Sequence, residues 1–398
     1  MSAPPVDATP PQGDRVYRTA WRIERRAHAG PLLAWGVSLG AVLVAMLLTG
    51  ILFAAFGVDP AEALRRIVDR TLLDGRGFSE VVRRAIPLML AGVGLTLAFR
   101  ARFWNIGAEG QLLVGAVAAS GVALFSDLPG PLLLPAMFAA AFVAGAAWGL
   151  GPALLKVRLG VNEIITTLML NYVAIYLVRW LINGPWKGTS LSGFAYSDVF
   201  EQAAWIPTWG ATRLHWPTLA FAVLLALLVA WLLGRTRFGF EVRMMGESPE
   251  AARYAGVDFF RTTVALVAVS AGAAGLAGFG EAAGIHHRLV DPNSLSQGYG
   301  YTAIIVALLA RRDPLAALVT ALFLGWVQAS GDVMQVALRL PSQITGVTQG
   351  LVLLCILATE PLLRYRLTRV RIPVAAASAQ GGSADGGPAS GAGGREVG

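Results

Sequence analysis

Ten runs of mostly apolar residues, parted by short polar interruptions, constrain this chain more than any other feature. They fall at 32–56, 86–99, 107–125, 131–155, 164–182, 216–233, 262–284, 301–309, 315–338 and 344–363. A backbone that crosses hydrocarbon must satisfy its own peptide groups, and as a helix it needs roughly 20 apolar residues to do so. The runs therefore predict an all-α polytopic membrane protein with about ten transmembrane helices. Hydrophobic residues make up 55% of the chain and charged ones 14%, which excludes an ordinary soluble domain. A net charge of +8 would raise nucleic acid as a partner of a soluble protein. Here the arginines stand at the ends of apolar runs, where they orient helices in the bilayer, so the expected partner is membrane lipid and not nucleic acid. Cys355 is alone and lies in an apolar run, so it forms no intrachain disulfide.

Charge gives the expected topology. Arg15, Arg18, Arg22, Arg25 and Arg26 precede the first span, which places residues 1–30, a basic segment, in the cytoplasm. The first run is too long for a signal-peptide core and reads as an uncleaved anchor. An even number of crossings across the transmembrane domain, 31–363, returns the chain to the inside, where Arg364, Arg366, Arg369 and Arg371 follow. Residues 364–398, rich in Gly, Ser and Ala toward their end, read as a disordered cytoplasmic tail. Residues 59–84 read as an external polar loop with an amphipathic interfacial helix at 61–72. Residues 183–215 form a second external loop, with Trp186, Trp205 and Trp209 suited to the headgroup region. The chain is then a multi-pass protein of the inner (plasma) membrane with both termini cytoplasmic.

The longest polar interruption of the second half, 235–261, falls on the inner side in this topology. Within it Ser248 can cap a helix, Pro249 suits the first helical position, Glu250 favours the first-turn dipole and Gly256 fits a left-handed stop. That predicts a helix of about two turns, too short to hold alone in water, which must be docked on a partner.

Three polar constellations interrupt the apolar runs. The first is FWNIGAEGQ, 103–111, where Asn105, Glu109 and Gln111 fall among glycines between two spans. It is either a broken helix lining a pathway or a cytoplasmic turn with a capping Asn. The second is VNEIITTLMLNY, in which Asn162 and Thr166, then Glu163 and Thr167, are four apart, with Asn171 one turn on. This stripe faces a cavity or bonds a neighbouring helix. The third, Gln328, Asp332 and Gln335, shares one helix face and is either a wet pathway or a solvated outer end. Glu281 with His286, His287 and Arg288 suggests an outer mouth, and adjacent His residues without a third ligand make a poor metal site. Neither metal nor cofactor is expected. The chain holds no G-x-x-x-x-G-K-[ST] loop, so it is not expected to hydrolyse nucleotide itself.

With NIGAEGQ, NEIITTLMLNY and GESPEAARYAGV read, the chain resembles a permease subunit of an ATP-binding-cassette importer. The resemblance covers about 32–363 and is to the branch of ribose-type and branched-chain amino-acid-type permeases that serves nucleosides and simple sugars. Glu250, Ala251, Ala252 and Gly256 match the first half of the importer loop E-A-A-x-x-x-G; the usual Ile-x-Leu-Pro continuation is replaced by Leu266, Ala268 and Val269. The resemblance implies a cytoplasmic ATPase subunit gripping Gly246, Glu247, Pro249, Glu250, Ala251, Ala252, Tyr254 and Gly256. It also implies a second related permease in a heterodimer, an external solute-binding lipoprotein, and a solute pathway near Asn105, Glu109, Gln111, Asn162, Glu163, Thr166 and Asn171. The competing expectation is a secondary transporter driven by an ion gradient, with Glu109, Glu163 or Asp332 as the ionisable carrier.

Overall fold

Peptide groups that lipid cannot satisfy are paired within helices throughout the computed structural model, which describes residues 17–25, 30–189, 195–341 and 343–373. In chain order the helices are α1 Pro31–Ala55, α2 Pro60–Val68, α3 Gly75–Arg100, α4 Ala108–Phe125, α5 Gly130–Leu159, α6 Glu163–Asn183 and α7 Trp216–Arg235. There follow α8 Arg237–Glu247, α9 Pro249–Tyr254, α10 Phe259–Glu281, α11 Pro292–Ser296, α12 Tyr299–Leu309, α13 Pro314–Ala337 and α14 Gln343–Arg364. Among the described residues nine helices are long and apolar enough to cross a membrane. The most enclosed are α3 and α10, while α1, α6 and α14 turn most of their surface outward.

Glycines set how closely the central helices approach. A methyl group on Gly275 of α10 would lie 2.3 Å from the Ala141 carbonyl oxygen of α5, and one on Gly115 of α4 would lie 2.3 Å from the Gly275 oxygen. Three backbones meet there with no side chain between them, as the glycine ridge at 272, 275 and 278 predicts.

The contacts also fix helix directions. Arg83 of α3 faces Glu281 of α10 at 3.8 Å, and Gly94 lies against Ser270, so α3 and α10 are antiparallel. Arg84 meets Asp332 of α13 at 2.6 Å, while Arg100 at the other end of α3 donates to the Arg312 carbonyl at 3.1 Å, so α3 and α13 are antiparallel too. The end of α10 and the start of α13 are then on opposite sides, and 282–313 must cross between them. It does so in pieces: a π turn Ala282–His286, α11, and α12. With 11 residues α12 spans about 16 Å, half of a ~30 Å core. Such a broken crossing is tolerated because protein covers it, and Tyr299 at its start is fully buried.

Two expectations give way. Residues 75–84 are not loop but the first turns of α3. Arg83 and Arg84 fit a helix at membrane depth because Glu80 bonds both, at 2.5 and 2.9 Å, and Asp332 accepts from Arg84 as a second carboxylate. The other correction concerns the tail read as disordered from 364. The chain divides into two compact units, residues 1–37 with 360–398 and residues 38–359. In the first, β1 Tyr17–Arg25 pairs antiparallel with β2 Tyr365–Pro373. Thr368, Val370 and Ile372 recur with period two, which suits a strand, and Arg369 lies over the ring of Trp21, its partner in the ladder, at 4.8 Å. The expectations for 1–16, 26–29 and 374–398 lie outside the described residues.

Candidate functional site

The segment between α3 and α4 runs back into the protein. Arg100 ends α3 beside Arg312 and against Gly246 of α8, at one surface of the helix bundle. Five residues later Asn105 is fully buried, and its Nδ2 lies 3.4 Å from Ser270 Oγ, on the same turn of α10 that Gly94 touches. Six residues of α3 separate Gly94 from Arg100, so the chain descends about 9 Å and climbs the same distance before α4 begins. Arg102, at φ 56°, makes part of the reversal. FWNIGAEGQ is thus a re-entrant break and not a surface turn.

A helix that starts inside a bundle has first-turn N–H groups with no intrahelical acceptor. Gly107, in the capping position of α4, offers no side chain. Asn171 of α6 replaces it: Oδ1 accepts from Gly110 N–H at 2.8 Å, and Nδ2 donates to the Ile106 carbonyl at 3.0 Å. Asn105 and Gln111 close a reciprocal amide pair, 2.9 Å each way, and Asn105 Oδ1 accepts from Gly107 N–H at 3.2 Å. Glu109 accepts from Gly300 N–H at 2.8 Å and from the Ser296 hydroxyl, so one carboxylate ties α4 to the broken crossing. Only glycine fits at 300, where a methyl group would lie 2.2 Å from Glu109 N. At the shallow end Glu163 pairs with Lys156 and accepts from Trp104 N–H at 3.4 Å, and Thr167 Oγ1 accepts from Ile106 N–H at 3.2 Å.

Asn105, Glu109, Gln111, Glu163 and Asn171 therefore converge on the break, and their polar atoms are engaged in holding it. Asn162 and Thr166 stand apart from it: Asn162 is exposed and caps Ile164 N–H at 2.9 Å, and Thr166 bonds back to the Asn162 carbonyl at 3.1 Å. The sequence reading missed Ser270, Ser296, Gly300 and Tyr301; the small residues of SQGYG before an undersized apolar run are the signal that could have found the last three. What faces outward beside the break is aromatic. Tyr172, Tyr176 and Trp180 follow one another up α6, each more than half exposed, and Tyr301 lies at the foot of this face, 3.4 Å from Asn171 Nδ2.

Residues 235–261 hold two helices. In the shorter, α9, Ser248 Oγ accepts from Ala251 N–H at 3.3 Å and Gly256 takes φ +76°, the cap and stop expected of it. Ala252 is buried and Tyr254 is 95% exposed. The longer, α8, packs so closely that a methyl group on Gly246 would lie 1.9 Å from the Arg100 carbonyl oxygen. Between α9 and the foot of the break is a cleft of about 390 Å³ whose walls include Arg102, Phe103, Lys156, Met245, Pro249 and Arg253. Helix α9 and the re-entrant segment thus share one cleft.

The remaining polar residues lie away from the break. Gln328 is buried, and Asp332, on the exposed end of α13, pairs with Arg84. Glu281 is completely enclosed and so is not part of an outer mouth, and His287 stacks on Trp205 at 3.9 Å.

Residues 77–357 match the family model described as "branched-chain amino acid transport system / permease component". A glucose ABC transporter permease protein of Haloferax volcanii is 37% identical over 87% of this chain and 93% of its own length. A nucleoside ABC transporter permease protein of Lactococcus lactis is 28% identical over 75% of this chain and 84% of its own, and a guanosine ABC transporter permease protein of Bacillus subtilis is 29% identical over 73% and 84%.

Proposed function

We infer the function from one premise: the chain belongs to the family of permease components of branched-chain amino acid transport systems. It is the transmembrane permease subunit of an ATP-binding-cassette importer, and its solute is a nucleoside or a simple sugar. The named solutes of its relatives, glucose, nucleosides and guanosine, support that class, and the relatives give no support to an ion-driven carrier. Energy comes from a separate cytoplasmic ATPase seated on α9, with Tyr254 as the protruding contact. A second, related permease completes the pathway as a heterodimer, and an external binding lipoprotein delivers solute. The chain sits in the plasma membrane with both termini cytoplasmic, an orientation supported by the arginines of 235–261 and by Arg100, Lys156, Arg158, Arg311 and Arg312 on the same side.

The pathway runs beside the break, along Tyr301, Tyr172, Tyr176 and Trp180. Rings of this kind suit a base or a pyranose face, and the tyrosine hydroxyls and the Trp180 indole N–H supply the few polar contacts such a solute needs. Asn105, Glu109, Gln111, Glu163 and Asn171 hold the break in register with that face, and Asn162 and Thr166 lie toward its cytoplasmic end.

The observation that carries this reading is the cleft between α9 and Phe103, which gives a lever at the surface direct access to the re-entrant segment. Gly256→Asp would remove the left-handed stop, and Glu250→Ala a charge at the first turn. In proteoliposomes holding the whole importer, either change is expected to lower solute uptake at least tenfold while membrane insertion is unchanged. Uptake at the wild-type rate in both variants would sink the reading.

A further inference from the structure

A groove on the membrane-facing side has no part in transport as described above. It lies between α1, α2, α13 and α14, encloses about 500 Å³, and its walls include Leu43, Leu47, Leu64, Ile67, Trp326 and Met334. Three hydroxyls reach its lining, and each is spent on its own helix: Thr49 donates to Ala45, Ser330 to Trp326 and Thr348 to Ile344, at 2.7–2.9 Å. Their protons are used, only the hydroxyl oxygens remain as acceptors, and the other side chains named are apolar, so the groove suits a hydrocarbon chain.

Charge identifies what the hydrocarbon is attached to. Residues 59–84 hold six arginines. Arg65, Arg66, Arg83 and Arg84 each have a carboxylate within 4 Å. Arg70 and Arg76 are exposed and have no such partner among the described residues. They share one turn at the rim: a methyl group on Gly77 would lie 1.9 Å from the Arg70 carbonyl oxygen, and Thr71, next to Arg70, accepts at 2.8 Å from the indole N–H of Trp326 in the groove wall. The amphipathic α2 lies alongside, as a helix at the headgroup level does.

We propose that this groove is a binding site for one anionic phospholipid, with an acyl chain between α1, α2 and α13 and the headgroup phosphate on Arg70 and Arg76. A zwitterionic lipid such as phosphatidylcholine offers the same acyl chain and a phosphate, but its choline cation cancels the net charge and is repelled by the two arginines, so the site discriminates by net headgroup charge. Each arginine is worth roughly fivefold in affinity for the anionic lipid at low ionic strength.

Native mass spectrometry of the full chain in detergent, titrated with phosphatidylglycerol or phosphatidylcholine, tests this. The expected result is one tightly held phosphatidylglycerol in the wild type, a preference over phosphatidylcholine that is lost in R70Q/R76Q, and loss of both lipids in L64W, which fills the groove. Both arginines and Leu64 are exposed, so the variants leave the helix core intact. Equal binding of the two lipids by the wild type, or undiminished phosphatidylglycerol preference in R70Q/R76Q, overturns the proposal. So does a protein dimer that L64W abolishes while lipid binding stays as it was, since the groove would then seat a second permease.

Discussion

Asn171→Leu separates a residue that braces the re-entrant break from one that touches solute. The side chain is fully buried and makes two good bonds across a helix interface, to Gly110 N–H at 2.8 Å and from its own amide to the Ile106 carbonyl at 3.0 Å. Leucine keeps the branch at Cγ and the number of heavy atoms, while its methyl groups are bulkier than the amide oxygen and nitrogen, so some crowding adds to the lost bonds. Interhelical hydrogen bonds in membranes average about 0.6 kcal/mol and reach about 1.7, because an unfolded helix in lipid finds other partners. Gly110 N–H is in the first turn of α4 and cannot find one within its helix, so its loss belongs near the upper figure or above it, toward the ~1–3 kcal/mol of an orphaned buried donor. The sum is roughly 2–4 kcal/mol. Unfolding of the purified protein in mixed micelles by titrated SDS, followed by tryptophan fluorescence, measures it. Tyr172→Leu, one residue along and 53% exposed, is the control: stability within ~0.5 kcal/mol of wild type, with impaired uptake. The reasoning fails if Asn171→Leu is as stable as wild type and instead alters which solutes are carried.

Two further substitutions test the helix core. Arg83→Leu takes the partner from Glu80, bonded at 2.5 and 2.8 Å, and from the buried Glu281 at 3.8 Å and should cost about 3–5 kcal/mol, of which R83L/E281L restores only the share owed to Glu281; a double-mutant cycle in the same SDS titration reads that coupling, and independent, additive losses would show that the 3.8 Å pair carries no energy. Gly275→Ala puts a methyl group 2.3 Å from the Ala141 oxygen and must push α5 off α10, at about 1–3 kcal/mol; an unchanged midpoint would mean that the helices are not in backbone contact there.

What the sequence made legible was whatever is settled locally. Apolar length decides helix in lipid, so the spans could be read, and so could α9, whose cap, proline and stopping glycine lie within nine residues. Partners distant in sequence were invisible. The ten residues 75–84 read as loop because Arg83 and Arg84 look like surface charges, and beyond Glu80 the carboxylates that face them in the bundle, Glu281 and Asp332, are about two hundred or more positions away. Helix α8 was hidden by Gly239 and Gly246, whose poor propensity is offset by backbone contact with Leu232 and Arg100. The break at 101–107 could be seen as a break, but its depth could not. The Asn105–Gln111 pair spans six residues, a separation no single helix would bring together, and exists because, after the reversal at Arg102, the chain up to Gly107 is not helical.

That reversal bears on how a motor outside the membrane could act within it. Coupling needs a contiguous physical path and an element with two arrangements. The path is continuous: α9 borders the cleft, Phe103 forms its far wall, and two residues on Asn105 meets Ser270 while Ile106 meets Asn171. Its parts differ in freedom. At Gly246 the backbone of α8 rests on that of α3 with no room to slide, so α8 and α3 must move together. Across the cleft α9 has about 390 Å³ into which it can travel before it presses on residues 101–103. A push on Tyr254 would then close the cleft first and strain the break second. The same chain positions that fix Asn105 and Ile106 at mid-depth would carry the displacement to the aromatic face of α6, through Asn171 beside Tyr172.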